Sequence, residues 1–509
     1  MKSRLMSITV GSLLFAGLAF AQGGIGPITT SVNKAKQRVG TPPSTSAPGF
    51  RLKLLVNKDF PLENPSGDIT SFGELATGVG TEPDQNTYIV FNSNPGGPVP
   101  GFDYGRHFLF QGHENGGNLA YVTRINLDVK AKAHKITLLT PVGADGLTNF
   151  NSIDGSTDDE FTKTLLFTQE NGAQGGVIEI SRTWPPKVRT LDGVFGKAGY
   201  EGIHPDDHGN VYVIEDVGGT SVSVDPNDPN ADPKLAKQPN SFVYRLIPKN
   251  KFDLSKGGKL QALRVTINGV PLTFNPNDPF GDVHSIQQLL LHTPGTTYPV
   301  DWVTIHDTAV EGAAAFDANA AAKAKGATPF KRPENMAFLP GSKFLTFFFC
   351  PTGDTDSESG NVVSLAERGA WGSIFRVDLN QGRKTGRIGI FVLGDAIHSS
   401  FDNLTFADRH TVLVTEDRGD TLHQELNRLD SVWAFATDGS LPPRRFVALG
   451  RDATSLANGE DNEPTGVHVS AGFPIPAGMP GTLADLFNVR AFLTRQHGEN
   501  VVWEIIKTF

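Results

Sequence analysis

Carboxylates recur at the ends of apolar runs along this 509-residue chain: "HFLFQGHEN" ends on Glu114, "TLLFTQEN" on Glu170, "NVYVIEDVGG" on Glu215 and Asp216, and "TVLVTEDRGD" on Glu416 and Asp417. A second set stands in shorter upstream phrases: Glu201 in "YEGIHPDDHG", Glu334 in "RPENMAFLPGS", Asp402 and Asn403 in "FDNLTFADRH", and Glu463 in "NEPTGVHVSAG". A single acid after a strand is ordinarily a solvated turn. Two sets of acids carried by a repeating unit are another matter, because a rotational repeat would bring both toward one axis. Crowded carboxylates raise one another's pKa, and buried anions are costly without a counter-charge. Hard cations answer that need: calcium takes about six to eight oxygen ligands from carboxylates, amide side chains and carbonyls. The candidate ligands are therefore Glu170, Glu201, Glu215, Asp216, Glu334, Asn403, Glu416, Asp417 and Glu463.

The elements that must position these acids are strands. Each acid-ending run alternates with period two and is followed by a partner rich in aromatic or β-branched residues: "AYVTRINLD", "GGVIEIS", "SFVYRLIP", "GSIFRVDLN", "DSVWAFATD" and "NVVWEII". With the shorter phrases, each unit supplies three or four strands. The 56 Gly and 34 Pro suit frequent turns. Repetition at a few tens of residues predicts an all-β chain, a six-bladed β-propeller over residues 51–509. A long insertion at about 225–330 breaks the spacing. Within it, "VEGAAAFDANAAAKAKGATPF" predicts a short helix ending at Gly326, and the insertion is expected to cover one mouth of the channel.

The N-terminus, "MKSRLMSITVGSLLFAGLAFAQGG", has a basic start, an apolar stretch and a small-x-small cleavage signal, which predicts a Sec-type signal peptide at 1–21 and an exported protein, periplasmic or extracellular. Residues 22–50 read as a flexible arm. No later segment is apolar and long enough to cross a membrane as a helix. With Cys350 as the sole cysteine, no intramolecular disulfide can form. A formal charge of -9 without runs of Lys and Arg argues against nucleic acid as a partner.

Other signals are smaller. "DTDSESGN" spaces Asp354, Asp356 and Glu358 like the start of a calcium loop, but its glycine falls one place late and the closing Glu is missing. "DPNDPNADP" reads as a surface loop, and His113 and His497 are ligands, acid-base groups or hydrogen-bonding wall residues. The chain contains no nucleophile elbow, phosphate loop, dinucleotide fingerprint or zincin motif.

"AAAKAKGATPFKRPENMAF", "FTQEN" and "NEPTGVHVS" followed by "RAFLTRQHGEN" resemble the exported bacterial alkaline phosphatases of the PhoX type over most of residues 107–500, most specifically at RPEN. The resemblance implies a six-bladed propeller whose channel holds ferric and calcium ions and removes phosphate from monoesters. It further implies Glu201 and Glu334 as iron ligands and Arg332 as the group that grips phosphate, so that Arg332 and Glu334 are the catalytic candidates. Calcium ligands would come from the acids of QEN, IED, TED and NEP. The family's cysteine ligand has no counterpart in "FTQEN", where Thr168 and Gln169 stand. Thiolate is a soft ligand that neither residue replaces, which leaves calcium as the expected cofactor and a changed or missing iron site.

The expectation is an exported, monomeric, metal-dependent phosphatase acting on small phosphate esters. One alternative is a non-catalytic, calcium-stabilised binding or surface protein. The other is a lactonase-like hydrolase with one divalent ion held by Glu201, Asn403 and Asp417.

Overall fold

The computed structural model describes residues 44–64, 71–76, 79–458, 463–472 and 489–508. The predicted signal peptide and all but the last residues of the predicted arm lie outside the described residues. The arm's described end is tied down: Thr45–Ser46 pairs with Arg444–Ala448, and a strand opening at Phe50 joins the C-terminal sheet.

Antiparallel four-stranded meanders make up the chain. They begin with Glu82–Val90, Ile153–Asp159, Tyr200–Pro205, Pro333–Phe338, Phe401–Asp408 and Pro464–Ser470, and each continues through an adjacent hairpin partner. The last meander is completed by Phe50–Val56 laid beside Val502–Lys507, so the two ends of the described chain share a sheet. The six first strands pack against one another in a closed cycle, which makes the arrangement propeller-like with these strands around its centre.

The sheets differ from six separate blades. Four are separate, of four or five strands, while the third and fourth meanders are fused into one ten-stranded sheet. The physical reason is Tyr298–Asp307, which hydrogen-bonds to Gly258–Ile267 on one side and to Thr385–Leu393 on the other. Within the insertion's bounds, Val243–Pro248 is the expected partner strand of "SFVYRLIP", and Gly258–Ile267 is a further outer strand of the third meander. The helix expected before Gly326 is Ala318–Ala324, capped by Asp317 and followed by Gly326 at φ +69, and Pro279–His284, Ile286–Leu291 and Thr308–Glu311 are further helices of the insertion.

Apolar layers between neighbouring meanders fix the strands. The alternation places Tyr212, Phe347, Phe349 and Phe375 in one such layer, with Phe349 and Phe375 stacked at 5.3 Å. Each fully buried phenylalanine is worth roughly 1.5–3 kcal/mol. Cys350 is buried in the next layer among Phe348, Ile374, Phe401 and Phe406. No helix among the described residues is long and apolar enough to cross a membrane.

Candidate metal centre

Every first strand breaks register at the same level. Ile153 pairs with Gln169 but Ser156 with Phe167, so Asp154 and Gly155 together face one residue, Thr168. The same two-against-one bulge places Asp84 and Gln85 opposite Gly112, Glu201 and Gly202 opposite Ile214, and Glu334 and Asn335 opposite Cys350. In the last two meanders it places Asp402 and Asn403 opposite Thr415, and Gly466 and Val467 opposite Leu493. A bulge bends its strand and re-aims a side chain. Here its first residue is a carboxylate in every meander but the last, and each of these carboxylates lines one cavity.

The partner strands add a second tier. Two residues beyond the one facing the bulge stand Glu114, Glu170, Asp216, Thr352 and Asp417, and the four acids among them line the same cavity. With Glu82 and Glu463, eleven carboxylates surround a space of about 190 Å³, together with Arg332, Gln496 and His497. Oxygens of Asp84, Glu114 and Asp154 lie within 4.8 Å of one another, as do those of Asp154, Glu170 and Glu201, so Asp154 belongs to both groups. Arg332 Nη2 lies 2.8 Å from Asp216 Oδ2 and 3.5 Å from Glu334 Oε1. His497 stands 3.5 Å from both Glu82 and Glu463.

Burial, followed by neighbouring carboxylates, pushes Asp84, Asp154, Glu170, Glu201 and Glu334 well above the usual carboxylate range. Glu114 is pushed up to about 7, mainly by burial. Arg332 is held well above its usual value, first by Asp216. One oxygen each of Asp84, Asp154 and Asp216 is buried without a hydrogen-bond partner. An all-oxygen donor set, in excess of its nearby cations and with orphaned oxygens, fits hard divalent ions such as calcium. It offers no thiolate: Cys350 is sequestered in the core, where burial raises its thiol further.

Glu170, Glu201, Asp216, Glu334, Asp417 and Glu463 are thus brought together beside Arg332. Glu215, Glu416 and Asn403 are not. Adjacent strand residues point to opposite sides, so Glu215 and Glu416 turn away from the cavity when Asp216 and Asp417 enter it. Glu215 accepts hydrogen bonds from Phe242 N, Tyr244 Oη and Asn319 Nδ2. Glu416 accepts from Ser431 N and the Arg418 guanidinium. Asn403, the second bulged residue, donates to Asp402 at 2.6 Å and accepts from Gly466 N at 2.7 Å. His113 occupies the same register as Glu215 and is bound to Thr123 as a wall residue. "DTDSESGN" forms no calcium loop, since Asp354 pairs with Lys331 at 2.8 Å and Asp356 caps the helix Ser357–Gly360. Glu82, Asp84 and Asp154 were missed from sequence, and Glu114 and Asp402, named among the repeating acids, were left out of the candidate ligands. The signal for three of them was the repeated phrase "PDQ", "IDG", "YEG", "PEN", "FDN", an acid between an apolar or proline residue and a small or amide one.

Residues 205–471, just over half the chain, match the family model described as alkaline phosphatase PhoX. The chain belongs to the PhoX alkaline phosphatase family. No curated protein sequence matches it. Among solved structures it is similar to Pseudomonas fluorescens PhoX in complex with vanadate, a transition-state analogue, at 13% identity and a TM-score of 0.56, over 94% of this chain and 97% of that one. A protein provisionally named a gluconolactonase is matched at 12% identity over 90% and 98% of the two chains, with a TM-score of 0.38. The likeness to the Pseudomonas protein spans more of the chain than the matched PhoX segment, to which the cavity residues Asp84, Asp154 and Glu201 are N-terminal.

Proposed function

We propose that this PhoX-family protein hydrolyses phosphate monoesters in the carboxylate-lined cavity, with calcium bound by the two tiers of acids. The observation that carries the reading is the position of Arg332. Among the described residues it is the one arginine or lysine lining a space walled by eleven carboxylates with Gln496 and His497. A guanidinium presents two parallel donors to phosphate oxygens, and the surrounding anions would repel a phosphate ester unless cations intervened. Bound metal would neutralise the phosphoryl group, activate an oxygen nucleophile and stabilise charge on the leaving oxygen. Asp84, Glu114, Asp154, Glu170 and Glu201 are the nearest candidates to hold it. Arg332 would orient the phosphoryl group, and Asp216 and Glu334 would hold the guanidinium between them.

With its ten-stranded sheet read as two joined blades, the fold is a six-bladed propeller. We further propose that the protein is exported as an unfolded chain and acquires calcium outside the cytoplasm, with no iron site of the family's cysteine-ligated kind. A non-catalytic, calcium-stabilised member is the second reading, favoured by Thr168 and Gln169 at the "FTQEN" strand end. The lactonase-like trio loses support because Asn403 is engaged by Asp402 and Gly466 rather than facing Glu201 and Asp417.

Elemental analysis of the purified protein, joined to turnover of a small aryl phosphate with and without chelator, tests the proposal. Calcium in the protein with chelator-sensitive turnover that Glu334→Gln abolishes is the expected result. Calcium with no turnover overturns the enzyme reading in favour of the non-catalytic one.

A further inference from the structure

The residue before a first strand repeatedly takes a left-handed backbone: Ser152 at φ 40, Arg332 at φ 50 and Ser400 at φ 52. Side chains with a Cβ disfavour this region, so something must hold each one there. In each case an amide from the partner strand's end does so: Glu170 N reaches Ser152 O at 2.8 Å, Thr352 N reaches Arg332 O at 2.7 Å, and Asp417 N reaches Ser400 O at 2.7 Å. Two of the three positions carry a serine. At the third, the same turn must aim a long cation into the cavity, and there the structure adds more.

Lys331, directly before Arg332, sends its ammonium inward to Asp354 at 2.8 Å, with side-chain exposures of only 3% and 0%. Asp354 also accepts from Lys237 N at 3.0 Å and from Ser359 Oγ at 2.5 Å. Gly353 N bonds to Lys331 O at 3.3 Å, one residue along from the Thr352 bond to Arg332. Thr352 completes the link, its hydroxyl donating to Glu334 Oε1 at 2.5 Å. The segment Thr352–Gly353–Asp354 therefore grips Lys331, Arg332 and Glu334 together, by main chain and side chain.

We propose that the buried Lys331–Asp354 pair is a positioning device for Arg332, fixing the turn from which its guanidinium reaches a phosphate ester. This rests on the phosphatase reading of the cavity. A buried ion pair is weak evidence for stability, since well-packed apolar residues of similar volume often replace one without loss of the fold. Its position directly beside the one strained cation of the cavity is explained by orientation. Neither Lys331 nor Asp354 lines the cavity, so neither touches substrate.

The test uses the double variant Lys331→Met with Asp354→Leu, which removes both charges at similar volume, beside the single variant Asp354→Asn. KM for an aryl phosphate, inhibition by inorganic phosphate, bound calcium and the melting temperature are measured on the full protein. A displaced orienting group costs on the order of 10- to 100-fold. The double variant is therefore expected to raise KM and the inhibition constant for phosphate together by that factor, with calcium retained. A purely structural pair would lower the active fraction and leave KM unchanged, and that result overturns the inference. So does loss of calcium alongside phosphate affinity. A wild-type protein that neither hydrolyses the ester nor binds phosphate overturns the phosphatase reading itself, whereas an active wild type matched by the double variant overturns the clamp alone.

Discussion

Glu215 and Asp216 are neighbours in the chain whose carboxylates serve opposite sides of one strand end. Asp216 enters the cavity and meets Arg332 at 2.8 Å, while Glu215 turns behind it to take Phe242 N at 3.1 Å and Tyr244 Oη at 2.7 Å. Glu416 and Asp417 divide their work in the same way. One acid of each pair faces the cavity, and the other ties the strand end to the next strand of its own sheet.

That division predicts different failures for adjacent substitutions. Asp216→Asn removes the principal anionic partner of Arg332, and kcat/KM for a phosphate ester is expected to fall by about 100-fold, or ~2.7 kcal/mol, with little change in melting temperature. Glu215→Gln leaves part of a buried hydrogen-bond set unsatisfied and is expected to cost about 1–3 kcal/mol of stability with KM unchanged. Steady-state kinetics paired with denaturant unfolding of both variants distinguishes the two roles.

Asp154 belongs to both close groups of oxygens, whereas Asp84 belongs to one. Asp154→Asn is therefore expected to weaken two calcium positions at once, and Asp84→Asn only one. Calorimetric titration of calcium into chelator-stripped protein reads the number of sites. Equal stoichiometry in the two variants would contradict a shared ligand.

The crowded acids also set a pH dependence. Their pKa values in the fold lie above the ordinary carboxylate range, so between that range and the raised values the folded state binds more protons than the unfolded chain. Stability of the metal-free protein is then greatest on the acid side and is lost as pH rises. For Glu114 the window runs from its usual 4.5 to about 7. In chelator the melting temperature is expected to fall from pH 5 toward pH 8, and saturating calcium is expected to remove most of that fall by replacing the protons as counter-charge. A melting temperature in chelator that rises over this interval would contradict the electrostatics.

Much of this was legible in the chain because strand periodicity is a local property. The alternating runs, their count and their acid ends follow from side chains that point to opposite faces at every second residue. What failed was the choice between adjacent polar residues. "IED" and "TED" do not say which acid faces inward, because that depends on where the facing strand bulges, and a bulge is a property of the pair. The same ignorance favoured Asn403 over Asp402 and hid Asp84 and Asp154, although their strands carry further acids in Glu82, Asp158 and Asp159. The fusion of two meanders through Tyr298–Asp307 was equally hidden, since edge pairing between distant strands leaves no periodic mark on the sequence.

The bulges also explain two glycines and allow a test that touches no carboxylate. Gly155 and Gly202 are the second bulged residues of neighbouring first strands, and a Cβ on Gly155 would lie 2.2 Å from Glu201 O and 2.7 Å from Thr168 Oγ1. A backbone carbonyl cannot yield cheaply, so Gly155→Ala must push apart the strands that carry Asp154 and Glu201. Overpacking of this kind costs about 1–3 kcal/mol, and it should loosen the oxygen group shared by Asp154, Glu170 and Glu201. The expected result is weaker calcium binding together with a lower melting temperature, although every candidate ligand is still present. Gly218→Ala is the control: a Cβ there meets nothing within 4 Å, and its effect should stay within about 0.5 kcal/mol. Calcium affinity in Gly155→Ala equal to that of the control would show that the spacing between adjacent bulges does not set the site.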